Sequence, residues 1–445
     1  MRTMSKNILG FIFLFLATGI GIDAQVSPSA ADTNKMQWFS DAKLGIFIHW
    51  GIYSTGKTSE SWEFHNRHIS HKDYMAQIKE FTAKNYQPEQ WSSLIKATGA
   101  KYVVITSKHH DGVALWNTKM NDLSIPEKSP AKKDVLTPFV NQLRKDSLKV
   151  GLYYSLIDWT YPDYPGFLRD SSKYKIENDT ARWAHFLKFC HGQIVELLKA
   201  YNPDLVWFDG DWEHNAKEWQ AAKIRQMILA SNPRTIINGR LQGYGDYDTP
   251  EQSFPVTRPA MKNWELCMTT NDSWGYYIGD SSYKTPYEII SIFADCISLG
   301  GNLLLDIGPR EDGTIPEEQQ ALLAKFGKWT NKHSEAIFGT LGGLPPGYFY
   351  GPTTLSKDSC SLYLFLQGKQ SGNIILKGIT NDIKNIEVVG TKTRLSHKVI
   401  GKMSWSNVPG LVFIDIPEGV QDEYMTVIKV RFEKPVSLYK GNVGS

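Results

Sequence analysis

The chain has 445 residues, with 49 Lys and Arg against 46 Asp and Glu, so its formal net charge at pH 7 is only +3. That length calls for a large domain plus a smaller one, and the balanced charge leaves no basic surplus to grip nucleic-acid phosphates. Fourteen Trp and an aromatic share of 12% exclude a disordered chain, though flat rings that suit sugars also fill ordinary cores.

In chain order the first element is a leader. Arg2 and Lys6 precede an apolar run over 8–22 that ends at Asp23-Ala24-Gln25. A short basic region followed by about 15 apolar residues is a secretory signal, too short to cross a bilayer. Residues 1–24 are therefore read as a signal peptide cleaved after Ala24. No later apolar run reaches the roughly 18 residues of a membrane span, so an exported protein is expected, in a periplasmic, extracellular or lysosome-like compartment. Cys190, Cys267, Cys296 and Cys360 are far apart and lack CxxC spacing, which reads as free thiols.

Short apolar runs then recur at 44–49, 102–106, 150–155, 204–209, 235–238, 264–268 and 302–306. Most are continuous rather than alternating, which predicts parallel strands covered on both faces. Helical periodicity fills the intervals at 90–98, 137–145, 181–200, 217–230, 286–299 and 317–333. Strand–helix alternation over about 300 residues predicts a (β/α)8-like barrel across 33–340, with seven strands evident and one missing or distorted. Beyond the Leu344-Pro345-Pro346-Gly347 linker the pattern becomes short strand runs at 361–366, 373–376, 383–389, 411–414 and 425–432, which predicts a small β-sandwich over 345–440.

Catalytic groups of such barrels sit at strand C-terminal ends. Those ends read His49-Trp50-Gly51, Lys108-His109-His110-Asp111-Gly112, Tyr153-Tyr154-Ser155 and Trp207-Phe208-Asp209-Gly210. One such end is weak evidence, because a lone Asp can simply cap the next helix; four that converge on one rim are much stronger. Asp209, with flexible Gly210 beside it, offers a carboxylate to the rim. Glu251 offers a second from the segment 245–251, with Asp211, Glu213, Asp246 and Asp248 as rival acids. Two facing carboxylates are what glycoside hydrolysis needs. The His109-His110 pair with His49 and Asp111 raises metal hydrolysis instead. Adjacent residues on an extended strand point to opposite faces, however, and no HxH or HExxH spacing occurs, so no metal and no cofactor are expected.

At this point the motifs resemble, in order, those of the α-L-fucosidases of glycoside hydrolase family 29. The blocks are Gly45-Ile46-Phe47-Ile48-His49-Trp50-Gly51 with Tyr53-Ser54, then Lys108-His109-His110-Asp111-Gly112 with Leu115-Trp116. Gly151-Leu152-Tyr153-Tyr154-Ser155 with Asp158-Trp159 follows, then Trp207-Phe208-Asp209-Gly210, and Gly301-Asn302-Leu303-Leu304-Leu305 with Gly308-Pro309 and Asp312-Gly313 closes the set. The resemblance implies a retaining mechanism through a covalent fucosyl-enzyme, with Asp209 as nucleophile, Glu251 as general acid/base and Glu265 as its rival. It also implies that His49, Glu63, His109, His110, Tyr153 and Arg240 hold sugar hydroxyls or flank the nucleophile. Trp207 and Trp274, with Trp50, would form a wall for the ring and its methyl group. Retention implies carboxyl groups about 5–5.5 Å apart and an acid/base whose pKa is raised. Fucosylated glycans would be the partners. Asn238-Gly239-Arg240 and Asp306 depart from the usual Asn-Asp-Arg and Asn, altering support rather than chemistry. The reading from another class is a catalytically silent fucose-binding protein that uses the same pocket.

Overall fold

A computed structural model of the chain describes residues 35–403, 405 and 407–441, so the predicted leader lies outside the described residues. Seven parallel strands make one curled sheet: β1 (Leu44–Ile48), β2 (Tyr102–Lys108), β3 (Lys149–Ser155), β4 (Leu205–Asp209), β5 (Ile236–Ile237), β6 (Glu265–Thr269) and β7 (Asn302–Ile307). Their order is β5-β4-β3-β2-β1-β7-β6. Almost every strand residue is buried, because helices cover the outer face while side chains fill the interior.

Strand alternation sorts the two faces. Ile46, Ile48, Leu152, Tyr154, Val206 and Phe208 pack outward beneath the helices. Phe47, Tyr102, Tyr153, Trp207, Tyr247 and Leu304 pack inward as a largely aromatic plug. The plug matters for function, since Phe47, Tyr153 and Trp207 share their strand faces with His49, Ser155 and Asp209 at the rim.

The sheet leaves a gap between β5 and β6, and the peptide 246–252 fills it. Asp246 N–H donates to the Ile237 carbonyl at 2.7 Å, and Asn238 bridges Tyr247 in parallel. On the other side Glu265 N–H donates to the Asp248 carbonyl at 2.9 Å and Cys267 N–H to the Pro250 carbonyl at 3.1 Å. This irregular stave is the eighth that the sequence pattern left unfilled. One further difference is the helix expected over 217–230. It breaks into Ala216–Trp219 and Ala221–Ser231 at Gln220, whose φ is +52°. The break seats Trp219 in the core with its indole N–H on the Asp211 carbonyl at 2.9 Å.

The C-terminal region forms two antiparallel sheets. One has five strands in the order β12 (Ile383–Val388), β15 (Met425–Phe432), β10 (Ser361–Gln367), β9 (Thr353–Leu355) and β8 (Leu341–Gly342), and the other has three, β11 (Gly372–Lys377), β14 (Leu411–Ile416) and β13 (His397–Ile400). Its edge strand β8 (Leu341–Gly342) precedes the linker. In β10 (Ser361–Gln367), Leu362, Leu364 and Leu366 face the second sheet, whereas Tyr363 and Phe365 face the barrel's core. Trp329, on a barrel helix, donates its indole N–H to the Met425 carbonyl at 2.8 Å. All four cysteines are free thiols, and only Cys360 is not buried. Among the described residues no helix is long and apolar enough to cross a membrane.

Candidate active site

Inward-facing strand ends and three loops enclose a cavity of about 140 Å³. Ligand sites for larger molecules run roughly 300–1,000 Å³, so this one suits a single monosaccharide ring. Its floor is Phe47, Tyr153 and Trp207, and its rim carries His49, Glu60, His109, Asp209, Arg240 and Glu251. Trp62, Trp212 and Trp274 complete the wall.

Asp209 ends β4 and is almost fully buried. Its Oδ2 accepts from the Tyr153 hydroxyl at 2.8 Å, and its Oδ1 accepts from Arg240 Nη1 at 2.8 Å. His110 Nε2 stands 3.6 Å from the same Oδ2. Burial, and then the charge of Asp209, push the Tyr153 phenol well above its ordinary value, so it remains a donor. Gly210 follows in a left-handed conformation at φ +81°, and a Cβ there would meet Ile157 at 2.6 Å. Asn238 braces this end: its Oδ1 accepts from Phe208 N–H at 2.8 Å, and its amide donates to the Phe208 carbonyl at 2.9 Å.

Arg240 joins the two candidate carboxylates. While one guanidinium nitrogen holds Asp209, Nη2 donates to Glu251 Oε2, and the plane lies over the Trp207 ring at 4.6 Å. The bidentate fork thus spans both acids, as a planar cation can and an ammonium cannot. Glu251 is the more open of the two, with 39% of its side chain exposed.

The histidines are positioned through their Nδ1 atoms. His49 meets Asp306 Oδ1 at 2.7 Å, His109 meets Ser61 Oγ at 2.6 Å and His110 meets Ser155 Oγ at 2.6 Å. Burial pushes all three imidazoles well below their ordinary range, so they are neutral hydrogen-bonding groups at pH 7. Burial also raises the Asp306 carboxyl, so it disfavours the ionised form of both partners in the His49–Asp306 contact. His109 and His110 do not point to opposite faces. β2 ends at Lys108 and both follow it in a turn, where strand alternation no longer applies; their rings are 4.3 Å apart. Among the described residues no group of three His, Cys, Asp or Glu could hold a metal ion.

Three expected placements change. Glu63 stands outside the pocket, 3.3 Å from His68 across the one-turn helix Trp62–His65. Glu60 occupies the wall instead, accepting from Gly275 N–H. Helical spacing of three brings both acids to neighbouring positions, so sequence alone could not choose between them. Trp50 lies off the pocket, packed 4.8–4.9 Å from Phe81, Tyr86 and Trp91 with its N–H on the Arg310 carbonyl. The strand ends one residue before His49, and the chain turns Trp50 outward. Glu265 lies beneath the floor, buried, accepting from Tyr102, Trp207 and Tyr247.

Of the rival acids, Asp246 is tied to Lys35 and Arg225, and Asp211 accepts from Gln242 N–H. The sequence reading missed Phe47, Trp62 and Trp212. Phe47 was detectable, because it precedes His49 by two on one strand face; the two tryptophans lie on irregular rim segments without such a signal.

The chain matches the family model described as Alpha-L-fucosidase over residues 22–335. It is 30% identical over 443 residues to the tissue alpha-L-fucosidase of Homo sapiens, covering 91% of this chain and 90% of that one. The tissue alpha-L-fucosidase of Rattus norvegicus is 32% identical over 342 residues, 70% of this chain and 72% of that protein. Among solved structures, alpha-L-fucosidase isoenzyme 1 from Paenibacillus thiaminolyticus superposes with a TM-score of 0.82 at 30% identity, covering 91% of this chain and 100% of that one. A trapped covalent intermediate of a Bacteroides thetaiotaomicron alpha-L-fucosidase, formed with 2-fluoro-fucosyl fluoride, gives 0.79 at 26% identity over 89% of this chain and 96% of that one.

Proposed function

The chain belongs to the α-L-fucosidase family, glycoside hydrolase family 29, and on that premise we propose that it is an exported, retaining enzyme that removes terminal α-L-fucose from glycans. The observation that carries this reading is the pair Asp209 and Glu251, both lining a one-sugar pocket and linked by Arg240. Asp209 attacks the anomeric carbon as the glycosidic bond breaks, giving a covalent fucosyl-enzyme and passing through an oxocarbenium-like transition state. Glu251 gives its proton to the leaving oxygen and then takes one from the water that releases fucose. Arg240 holds Oε2 of Glu251, so Oε1 is the oxygen that turns to the leaving group. Tyr153 and Arg240 orient Asp209, and the neutral imidazoles with Glu60 supply donors and acceptors for the sugar hydroxyls. Phe47, Trp207 and Trp274 give the apolar wall that favours a methyl group over a hydroxymethyl group. The trapped intermediate of the Bacteroides relative supports the covalent route, and the apolar leader over 8–22 supports export.

An aryl α-L-fucoside tests the reading. α-L-Fucose as the first-formed anomer, seen by NMR before mutarotation, is expected, as is labelling of the Asp209 peptide by 2-fluoro-fucosyl fluoride. The β-anomer would overturn retention. Absence of turnover with fucose still bound would favour the silent binding protein, and loss of activity with EDTA would favour a metal hydrolase.

A further inference from the structure

The peptide that fills the gap between β5 and β6 runs parallel to both, from Asp246 at the base of the barrel to Glu251 at the rim. Its two seams are unequal. On the β6 side the main chain is bonded along its length, from Asp248 N–H on the Asn263 carbonyl at 3.2 Å to Gln252 N–H on the Cys267 carbonyl at 3.0 Å. On the β5 side the seam is clasped near its two ends. At the rim Arg240, from the turn after β5, holds Glu251. At the base Asp246 donates its N–H to the Ile237 carbonyl at 2.7 Å and accepts the Ile237 N–H on Oδ2 at 2.9 Å.

We propose that Lys35 is a positioning residue for proton transfer, pinning the base of this stave so that Glu251 meets the glycosidic oxygen at the rim. This role rests on the fucosidase reading and deepens it at the proton-donating step. Lys35 lies outside the pocket lining, and its Nζ donates to Asp246 Oδ1 at 2.8 Å with both side chains buried. Arg225 Nη2 reaches the same oxygen at 2.9 Å. The helix Gln37–Ala42, which follows Lys35 by two residues, extends the grip. Its Phe39 ring packs 4.5 Å from that of Tyr247, the next residue of the stave. Its Ser40 Oγ donates at 2.7 Å to Asn263 Oδ1, on the residue whose carbonyl begins the β6 seam. Asn302, at the start of β7, donates to the Phe39 carbonyl at 2.8 Å and ties the helix to the sheet. One short segment thus holds the base of the stave at both seams.

The mechanics follow from the backbone. An extended peptide hardly stretches, so a shift at Asp246 is carried along the stave to Glu251. The rim clasp cannot fix that position through turnover. Glu251 gives and then takes a proton, and its bond to Arg240 is strongest only while it is ionised. The base clasp meets no reacting atom, so it holds the stave while the rim clasp changes. Asp209 is fixed separately, at the end of β4 by Tyr153 and Arg240. A loosened base would therefore misplace the acid and leave the nucleophile in register.

Two substrates separate positioning from mere stability. α-L-Fucosyl fluoride expels its leaving group with little help from an acid, whereas a fucosylated lactose needs the Glu251 proton. Lys35→Met keeps Arg225 on Asp246, so no buried carboxylate is orphaned. It should lower kcat/KM for the oligosaccharide by about tenfold, within the range for a misplaced catalytic group, and leave the fluoride within about twofold. Lys35→Arg should restore the ratio. Ser40→Ala, which removes no charge, should shift the ratio in the same direction, and it decides the matter should Lys35→Met not fold. Equal losses on both substrates would reduce Lys35 to a structural role and overturn the proposal, as would no loss on either. A wild-type enzyme that cleaves both substrates, with variants that keep its ratio, refutes the positioning role alone. One that cleaves neither substrate refutes the fucosidase reading and the positioning role with it.

Discussion

The two walls of the pocket are built differently. The wall with Asp209, Tyr153, His49 and the paired histidines comes from the ends of β1 to β4, is buried throughout, and has its groups fixed by strand register and by a partner each. The wall with Arg240 and Glu251 comes from the turn after β5 and from the irregular peptide that closes the barrel, and its acid is partly open to solvent. A nucleophile needs one fixed line of attack on a ring held still. An acid that must first give and then take a proton needs water at the second step. Rigidity on one side and access on the other follow from that division of labour.

The largest effect expected is on the rigid side. Asp209→Ala should cost about 10⁴-fold or more in kcat while leaving the fold intact, and azide should rescue turnover as the inverted glycosyl azide. Near-wild-type turnover would dissolve the contrast altogether. On the open side, Glu251→Ala should cost about 10²–10⁴-fold on a natural glycan and much less on a fucoside with an activated aryl leaving group, which departs without a proton. Equal losses on the two substrates would mean that Glu251 is not the proton donor.

Glu265 sits beneath the pocket floor, where burial lifts its carboxyl from 4.5 to about 7. The folded state therefore binds this proton more tightly than the unfolded chain does. The resulting stability is complete below pH 4.5 and is lost as pH rises through about 7. Glu265→Gln should remove that slope and gain about 3 kcal/mol on the wild type across the window. Urea unfolding at both ends of the window measures it, and parallel curves would show that Glu265 is already charged in the fold. The smallest contrast is between neighbours. Glu60→Ala should lower kcat/KM by about 10–100-fold, the worth of a charge-assisted hydrogen bond, whereas Glu63→Ala should stay within about threefold. The reverse order would return Glu63 to the pocket.

The same division explains what the sequence revealed. Strand ends were legible because a continuous apolar run that stops at a polar residue is the signature of a covered parallel strand. Asp209, Tyr153 and His49 followed from it directly. The closing peptide contains Asp246, Asp248 and Pro250, none of which favours a strand. It pairs only because β5 and β6 leave backbone groups unpaired on both sides. Its stave therefore has no strand signal, and Glu251, one of several loop acids in the sequence, is singled out through the family resemblance. Glu60 and Glu63 show a finer limit, because a one-turn helix has too few residues to mark its inward face. Trp50 shows the converse: adjacency to a strand end does not ensure that a side chain faces the rim.

The five-stranded sheet of the C-terminal region uses both of its faces, one for its partner sheet and one for the barrel. A chain cut at the linker would leave Trp329 without its carbonyl partner and bare the helices that Phe365 and Val427 cover. The excised sheet pair would expose Tyr363, Phe365, Met425 and Val427 in turn. Each piece therefore supplies part of the other's apolar cover.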